Sequence, residues 1–389
     1  MKFFSLMFTL LLTSVAFADE RPNILLIVSE DNGPELGCYG HPYAKTPVLD
    51  ALAAEGIRFE NAYVPQAGCS QSRAALLTGL YPHQNGQIGL ATWKFRMYRE
   101  DTPNIVRSLK QAGYRTGLIG KLHVSPKSAF PFDTHKISTS NFSRQHQQRY
   151  SEYAEQFISA GDAPFFLSVN YPDAHRPFID QVDGLPEQPL AANDVRTPDG
   201  FGLDTPELRQ QSASYYNCMS RLDSLIGDLL NALERSGKAD NTVVVYLGDH
   251  GADLLRGKRT SYEGGLRIPL LVRWPQKIVA PQVRSELVST LDLMPTFLAI
   301  AAADPVDHLS GRSLLPLWND EAVSWREFLF SEFHLHSAHN FYPQRTVRDT
   351  RFKLIQNHLP NQINPGYDFT IERFFKDLPE VIEAASDTA

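Results

Sequence analysis

A chain of 389 residues, 42% hydrophobic and 21% charged, has room for one large α/β domain with a smaller appendage, and its composition excludes a disordered or fibrous protein. A net charge of −7 argues against a general nucleic-acid binder, which presents a basic face. It leaves open an anionic ligand, because a local cluster of Lys, Arg and His binds anions on an acidic protein.

Residues 1–18 read as an export signal: Lys2 is followed by the mostly apolar run Phe3 to Phe17 and the small-residue site Ala16-Phe17-Ala18. No later stretch is long and apolar enough to span a bilayer. The mature protein is therefore expected to be exported, periplasmic or secreted, with no membrane span. Asn23 to Val28 reads as a buried strand, followed by a helix near Val48 to Glu55. Ile105 to Ala112 is predicted helical and Tyr114 to Gly120 a strand. Phe165 to Val169, Val243 to Leu247 and Pro269 to Val272 are predicted as further strands, with a long helix over Pro206 to Ser236. Asp183 to Gly202, rich in Pro, Asp and Gly, reads as an excursion loop before that helix. The alternation predicts a mostly parallel sheet flanked by helices. Beyond Asp304, the stretch Thr346 to Ile355 predicts a hairpin in a small antiparallel subdomain, and Pro360 to Ala389 a terminal helix at most.

Charged and nucleophilic residues gather just past the predicted strands. Glu30-Asp31 follows the first, Lys121 and His123 follow the strand ending at Gly120, and Asp173-Ala-His175-Arg176 follows Phe165 to Val169. Asp249-His250 follows Val243 to Leu247, and Lys258, Tyr262-Glu263 and Arg267 come after it. In open α/β sheets ligands bind at the carboxyl ends of the strands, so residues distant in sequence are expected to converge there. Three carboxylates suit calcium or magnesium, while an imidazole widens the choice towards zinc or manganese. Taken singly, each pair is as well explained by a strand-end turn or a helix cap.

One run decides between these readings. Cys69-Ser-Gln-Ser-Arg-Ala-Ala-Leu-Leu-Thr-Gly79 resembles the signature of the formylglycine-dependent type I sulfatases, in the alkaline phosphatase superfamily. The resemblance covers roughly Arg21 to Ile355. Within the family it is closest to the heparan N-sulfatase (sulfamidase) branch, through Pro82-His-Gln-Asn-Gly86, Gly113 to Val124, Asp173-Ala-His-Arg176 and Gly311-Arg-Ser-Leu-Leu-Pro316. It implies an alkaline-phosphatase-like α/β sandwich with a catalytic domain over residues 19–303. A C-terminal subdomain follows over 304–389, either short or truncated, since no Leu-Tyr-Asp or Asp-Pro-x-Glu pattern precedes Ala389.

The resemblance also implies the chemistry. Cys69, oxidised to formylglycine by a dedicated maturase, becomes a hydrated aldehyde nucleophile. Glu30, Asp31, Cys69, Asp249 and His250 hold one divalent metal, calcium first. Arg73 holds the formylglycine, Lys121 orients the sulfuryl oxygens, His175 and Lys258 protonate the leaving atom, and His123 takes the proton that lets the hemiacetal collapse. The implied substrate is a sulfated sugar, N-sulfoglucosamine first. O-sulfated glycans, aryl sulfates and non-catalytic sulfoglycan binding are the alternatives. Three positions depart from the family pattern: Gln71 stands where Pro or Ala is usual, Glu30 where the first of two aspartates is usual, and His250 where Asn or His occurs. With Cys69 converted, Cys38 and Cys218 remain, either to pair or, for Cys218, to serve as a small buried hydrophobe in a helix.

Overall fold

The computed structural model describes residues 21–366, apart from Gln276, together with Glu383. The expected export signal and nearly all of the expected terminal helix lie outside these residues. In chain order the elements are β1 Asn23–Ser29, α1 Pro47–Ala54, β2 Ile57–Tyr63, α2 Cys69–Thr78, α3 Pro82–Asn85, α4 Ile105–Gln111, β3 Arg115–Gly120 and β4 Thr134–Lys136. They continue with α5 Arg149–Ser159, β5 Phe165–Tyr171, α6 Pro206–Arg235, β6 Thr242–Gly248, α7 Glu263–Leu266, β7 Arg267–Arg273, β8 Gln282–Arg284 and β9 Val288–Ser289. The last are α8 Leu293–Ile300, α9 Leu315–Trp318, β10 Leu329–Phe333, β11 Gln344–Arg348 and β12 Lys353–Asn357.

The large sheet has the order β4-β3-β5-β1-β6-β7-β2-β8, with β9 also on β2. All its pairings are parallel except those of β7 with β6 and β2. Strand β1 sits at its centre as an unbroken apolar run because both faces are covered. Ile24, Leu26 and Val28 join the core that includes Leu109 of α4 and Phe297 of α8. Leu25 and Ile27 join the opposite core with Leu222, Ile226 and Leu229 of α6. Each such side chain, taken fully out of water, contributes roughly 1.5–3 kcal/mol. The thirty-residue α6 starts at an N-cap, Thr205, whose side chain accepts from Leu208 N at 3.3 Å, with Pro206 following.

The expected strands and long helix lie where the hydrophobic runs put them, within a residue or two. Strand β2 and helix α2 were not anticipated. The seven residues of β2 (Ile-Arg-Phe-Glu-Asn-Ala-Tyr) lose alternation where its register against β7 shifts between Phe59 and Ala62. Helix α2 is buried on every side, so it has no apolar stripe to detect. The expected hairpin is β11–β12, completed into an antiparallel three-stranded sheet by β10.

Register brings the site together. Ser29, the last residue of β1, lies opposite Tyr171 of β5 and Gly248 of β6. Glu30-Asp31, Asp173 and Asp249-His250 therefore leave the sheet side by side. Glu30 N donates to Tyr171 O at 3.1 Å and Asp249 N to Ser29 O at 2.9 Å, extending the ladder to the first charged residue. Gly120 ends β3 with a φ of +92°, and a Cβ there would meet the Asn170 carbonyl at 2.1 Å. Only glycine turns the chain so closely past β5 to present Lys121.

Candidate active site

Cys69 is the first residue of α2, following Gly68 as N-cap, and is 2% exposed. The N-terminal end of a helix favours negative charge. Around the thiol stand residues from four strand ends. His250 Nε2 lies 3.3 Å from Cys69 Sγ and 3.3 Å from Asp31 Oδ1. Lys258 Nζ bonds both Asp31 oxygens, at 2.9 and 2.8 Å. Lys121 Nζ lies 2.9 Å from Glu30 Oε1. Arg73, one turn along α2, donates from Nε to Asp249 Oδ2 at 3.0 Å and from Nη1 to Asn170 Oδ1 at 2.6 Å, and its Nη2 lies 3.5 Å from Glu30 Oε1. His175 Nε2 stands 4.0 Å from Asp31 Oδ2. Glu30, Asp31, Cys69, Arg73, Lys121, His175, Asp249, His250 and Lys258 thus converge on one place, and His123 is near enough to interact with the Cys69 side chain.

Two of these residues carry backbone strain. Asp31 and His123 adopt left-handed φ values of 53° and 54°, a conformation costing roughly 1–3 kcal/mol each that persists where the surroundings impose it.

Electrostatics match the geometry. Burial pushes Glu30 up to about 7 and Asp31 up to about 6, with Lys121 and Lys258 respectively pulling each back. Burial also works against the charged forms of Cys69 and Asp249. Lys121, Lys258 and His250 nevertheless hold the thiol well below its ordinary value, and His250 and Arg73 hold Asp249 below its own. Against burial, Asp249, Cys69 and Asp31 raise His250 to about 9. Burial, then Lys258 and Lys121, lower His175 to about 2.

Asp31, Cys69, Asp249 and His250 each offer one ligand atom, and these atoms lie within 4.8 Å of one another. Glu30 falls outside that foursome, yet its Oε2 is buried without a hydrogen-bond partner. An orphaned carboxylate oxygen beside clustered carboxylate and imidazole donors fits a divalent cation.

Some expected neighbours turn away. Glu263 pairs with Arg348 and Lys353 of the small sheet, Arg267 binds Glu60 O, and Tyr262 is 46% exposed. Their position after Lys258 reflects chain order only. All three cysteines are free thiols, and Cys218 is the buried hydrophobe of α6 rather than half of a bridge.

Other residues join the site without a sequence signal. Phe142 stacks on His175 at 4.0 Å between ring centroids and lies 5.2 Å beneath the Lys121 ammonium. Asn170, the penultimate residue of β5, orients Arg73. His336, from the segment after β10, lies close enough to Cys69 to interact with its thiol. Its Nε2, like both ring nitrogens of His123, is buried without a hydrogen bond of ordinary geometry.

Comparison with known proteins gives these features a family. The sulfatase family matches residues 22–303, and the domain described as N-sulphoglucosamine sulphohydrolase, C-terminal, matches residues 248–372. Human N-sulphoglucosamine sulphohydrolase is 34% identical over 410 residues, covering 95% of this chain and 80% of that protein. An ulvan-active sulfatase of Formosa agariphila is 29% identical, covering 91% and 71%. Among solved structures, the yidJ protein of Bacteroides fragilis shares the fold with a TM-score of 0.74 at 21% identity, covering 95% of this chain and 97% of that one. A protein solved in complex with its substrate, D-glucosamine-2-N,6-O-disulfate, shares it with a TM-score of 0.67 at 23% identity, covering 95% and 97%. The chain belongs to the sulfatase family and is a sulfate ester or sulfamate hydrolase.

Proposed function

We propose that this chain is an exported, metal-dependent sulfatase of sulfated sugars, with N-sulfated glucosamine as first substrate and a formylglycine nucleophile formed from Cys69 by a maturase. The observation that carries the reading is Cys69 at the start of α2, ringed by Lys121, Lys258, His175, His123 and His250. Residues 1–18 would be the export signal, 19–303 the catalytic domain and 304–389 the C-terminal subdomain.

Glu30, Asp31, Asp249, His250 and the residue-69 side chain would hold the cation, calcium first. When bound, it would supply Lewis-acid polarisation of the sulfuryl oxygens. The protein's own residues do the rest. Arg73, fixed by Asp249 and Asn170, holds the carboxylates and the start of α2 in place. Lys121 and Lys258 neutralise charge on the sulfuryl oxygens where water is excluded and such contacts are strong. His175 and Lys258, both near Asp31, would deliver a proton to the departing nitrogen or oxygen, the anionic substrate offsetting the Lys258 and Lys121 charges that hold His175 low. His123 takes the proton from the hydroxyl left on residue 69, so the carbon–oxygen bond to sulfate breaks and the aldehyde returns.

Mass spectrometry of the tryptic peptide Phe59 to Arg73, from protein made in its native host, tests the nucleophile. Sulfate-release assays on N- and O-sulfated glucosamines and an aryl sulfate then test the substrate. Formylglycine with sulfate released foremost from the N-sulfated sugar is the expected result. An unmodified thiol throughout would defeat the mechanism and favour a sulfoglycan-binding protein. Release from O-sulfated substrates alone would move the assignment to an O-sulfatase.

A further inference from the structure

The segment between two strands of the small antiparallel sheet brings one residue to Cys69, and hydrogen bonds hold its backbone there. His336 N donates to Asn340 Oδ1 at 2.9 Å, and His336 O accepts from Leu90 N at 3.0 Å. The preceding carbonyl, Leu335 O, accepts from two buried side-chain amides, Gln66 Nε2 at 3.0 Å and Gln71 Nε2 at 2.8 Å. Three hydrogen bonds from other segments and one from Asn340 within its own thus fix the backbone on both sides of one imidazole. The ring so fixed is near enough to Cys69 to interact with its side chain, yet its buried Nε2 makes no hydrogen bond of ordinary geometry. A buried polar atom without a partner costs roughly 1–3 kcal/mol. A fold that spends four bonds to create that cost has a ligand atom to offer it.

Which atom follows from the reaction geometry. In an in-line displacement the leaving atom lies on the far side of sulfur from the nucleophile. A group touching residue 69 therefore reaches the nucleophilic hydroxyls and not the leaving group. His123 arrives on the same side chain from the end of β3, so the two hydroxyls of the hydrated aldehyde meet two imidazoles from different subdomains.

We propose that His336 is a further positioning residue for the nucleophile: its Nε2 hydrogen-bonds one hydroxyl of the residue-69 diol while His123 attends the other. The proposal rests on the formylglycine reading above. It requires the small sheet to complete the nucleophile's surroundings, and it gives Gln71 a function in the folded enzyme.

The test uses full-length, metal-loaded His336→Ala and His336→Asn enzymes with formylglycine content measured by mass spectrometry. If His336 holds the diol, His336→Ala lowers kcat about 10- to 100-fold with KM little changed, equally for glucosamine N-sulfate and p-nitrophenyl sulfate. His336→Asn, which keeps a hydrogen-bonding group, recovers part of the loss. The second readout does not depend on turnover. Losing a bond to the hydrate shifts residue 69 towards free aldehyde, so labelling by an aminooxy probe accelerates about fivefold, the equivalent of one hydrogen bond. Unchanged kcat and labelling at full formylglycine content would overturn the proposal, as would a loss confined to one substrate. If the alanine variant does not fold, the asparagine variant is judged by the same two readouts. Parent enzyme that carries formylglycine but releases no sulfate would defeat the functional reading alone, and the labelling rate would still decide the role of His336.

Discussion

The Gln71 side-chain amide reaches the Leu335 carbonyl at 2.8 Å, joining the second turn-forming residue after Cys69 to the strap that follows β10. Gln71 is fully buried, and its Oε1 packs 2.7 Å from where a Gly68 Cβ would stand. The position that departs from the family motif is thus a tie between the helix that begins at Cys69 and the small sheet. Gln71→Ala removes that tie and leaves Gln66 as the remaining amide on Leu335 O. Stability should fall by about 1–2 kcal/mol in urea denaturation. Turnover should fall by about tenfold or more as the strap loosens, with formylglycine content unchanged. Loss of formylglycine without loss of stability would instead assign Gln71 to maturation alone.

The carboxylate cluster makes a separate prediction through stability. A cation that binds only the folded state stabilises it by about 2.7 kcal/mol at a hundred times its Kd. Calcium titrated into chelator-treated protein should raise Tm, and Asp31→Asn should abolish most of that rise, because Asp31 belongs to the cluster with Cys69, Asp249 and His250. Differential scanning calorimetry reads this without substrate. An equal calcium response in Asp31→Asn would place the cation elsewhere.

Asp173 shows how the His175 loop is anchored. Arg144 Nε lies 3.1 Å and Arg221 Nη2 2.6 Å from its Oδ1, and all three side chains are 0% exposed. Against burial, the two guanidinium groups hold the Asp173 carboxyl below its ordinary value. Asp173→Ala leaves two buried cations uncompensated and should cost about 3–5 kcal/mol, measurable by equilibrium unfolding. A cost below about 1 kcal/mol would mean that water reaches the guanidinium groups.

Legibility followed the chain's own periodicity. Glu30, Asp31, Lys121, Asp249 and His250 were readable because each follows within two residues a strand buried along all or nearly all its length, and the parallel register of β1 with β5 and β6, and of β3 with β5, turns adjacency in sequence into adjacency in space. His336 was not readable. It lies in His334-Leu-His-Ser-Ala-His-Asn340, a stretch with neither helical nor strand spacing, and 267 positions separate it from Cys69. Phe142 likewise sits in an irregular loop, tied to the site by its stacking on His175 and its ring beneath Lys121. The motif singled out Cys69 but carried no signal of what the second subdomain brings to it.

A last prediction concerns acid stability away from the catalytic cluster. His41 Nδ1 accepts from Tyr43 N at 3.4 Å and Ala44 N at 3.2 Å, and its ring packs on Tyr216 at 4.4 Å between centroids. Burial lowers its pKa from 6.5 to about 4. The folded state therefore prefers the neutral ring. The resulting stability is fully present above pH about 6.5 and is lost as pH falls towards 4. His41→Gln keeps a neutral acceptor and removes the titration. With the ring partly exposed, the stability gap between parent and variant should shift by only about 1–2 kcal/mol in the variant's favour between pH 7 and pH 4.5. Comparing the two proteins cancels the other titrating groups, which they share. Parallel Tm profiles across that range would show that the unfolded chain holds His41 in the same protonation state as the fold.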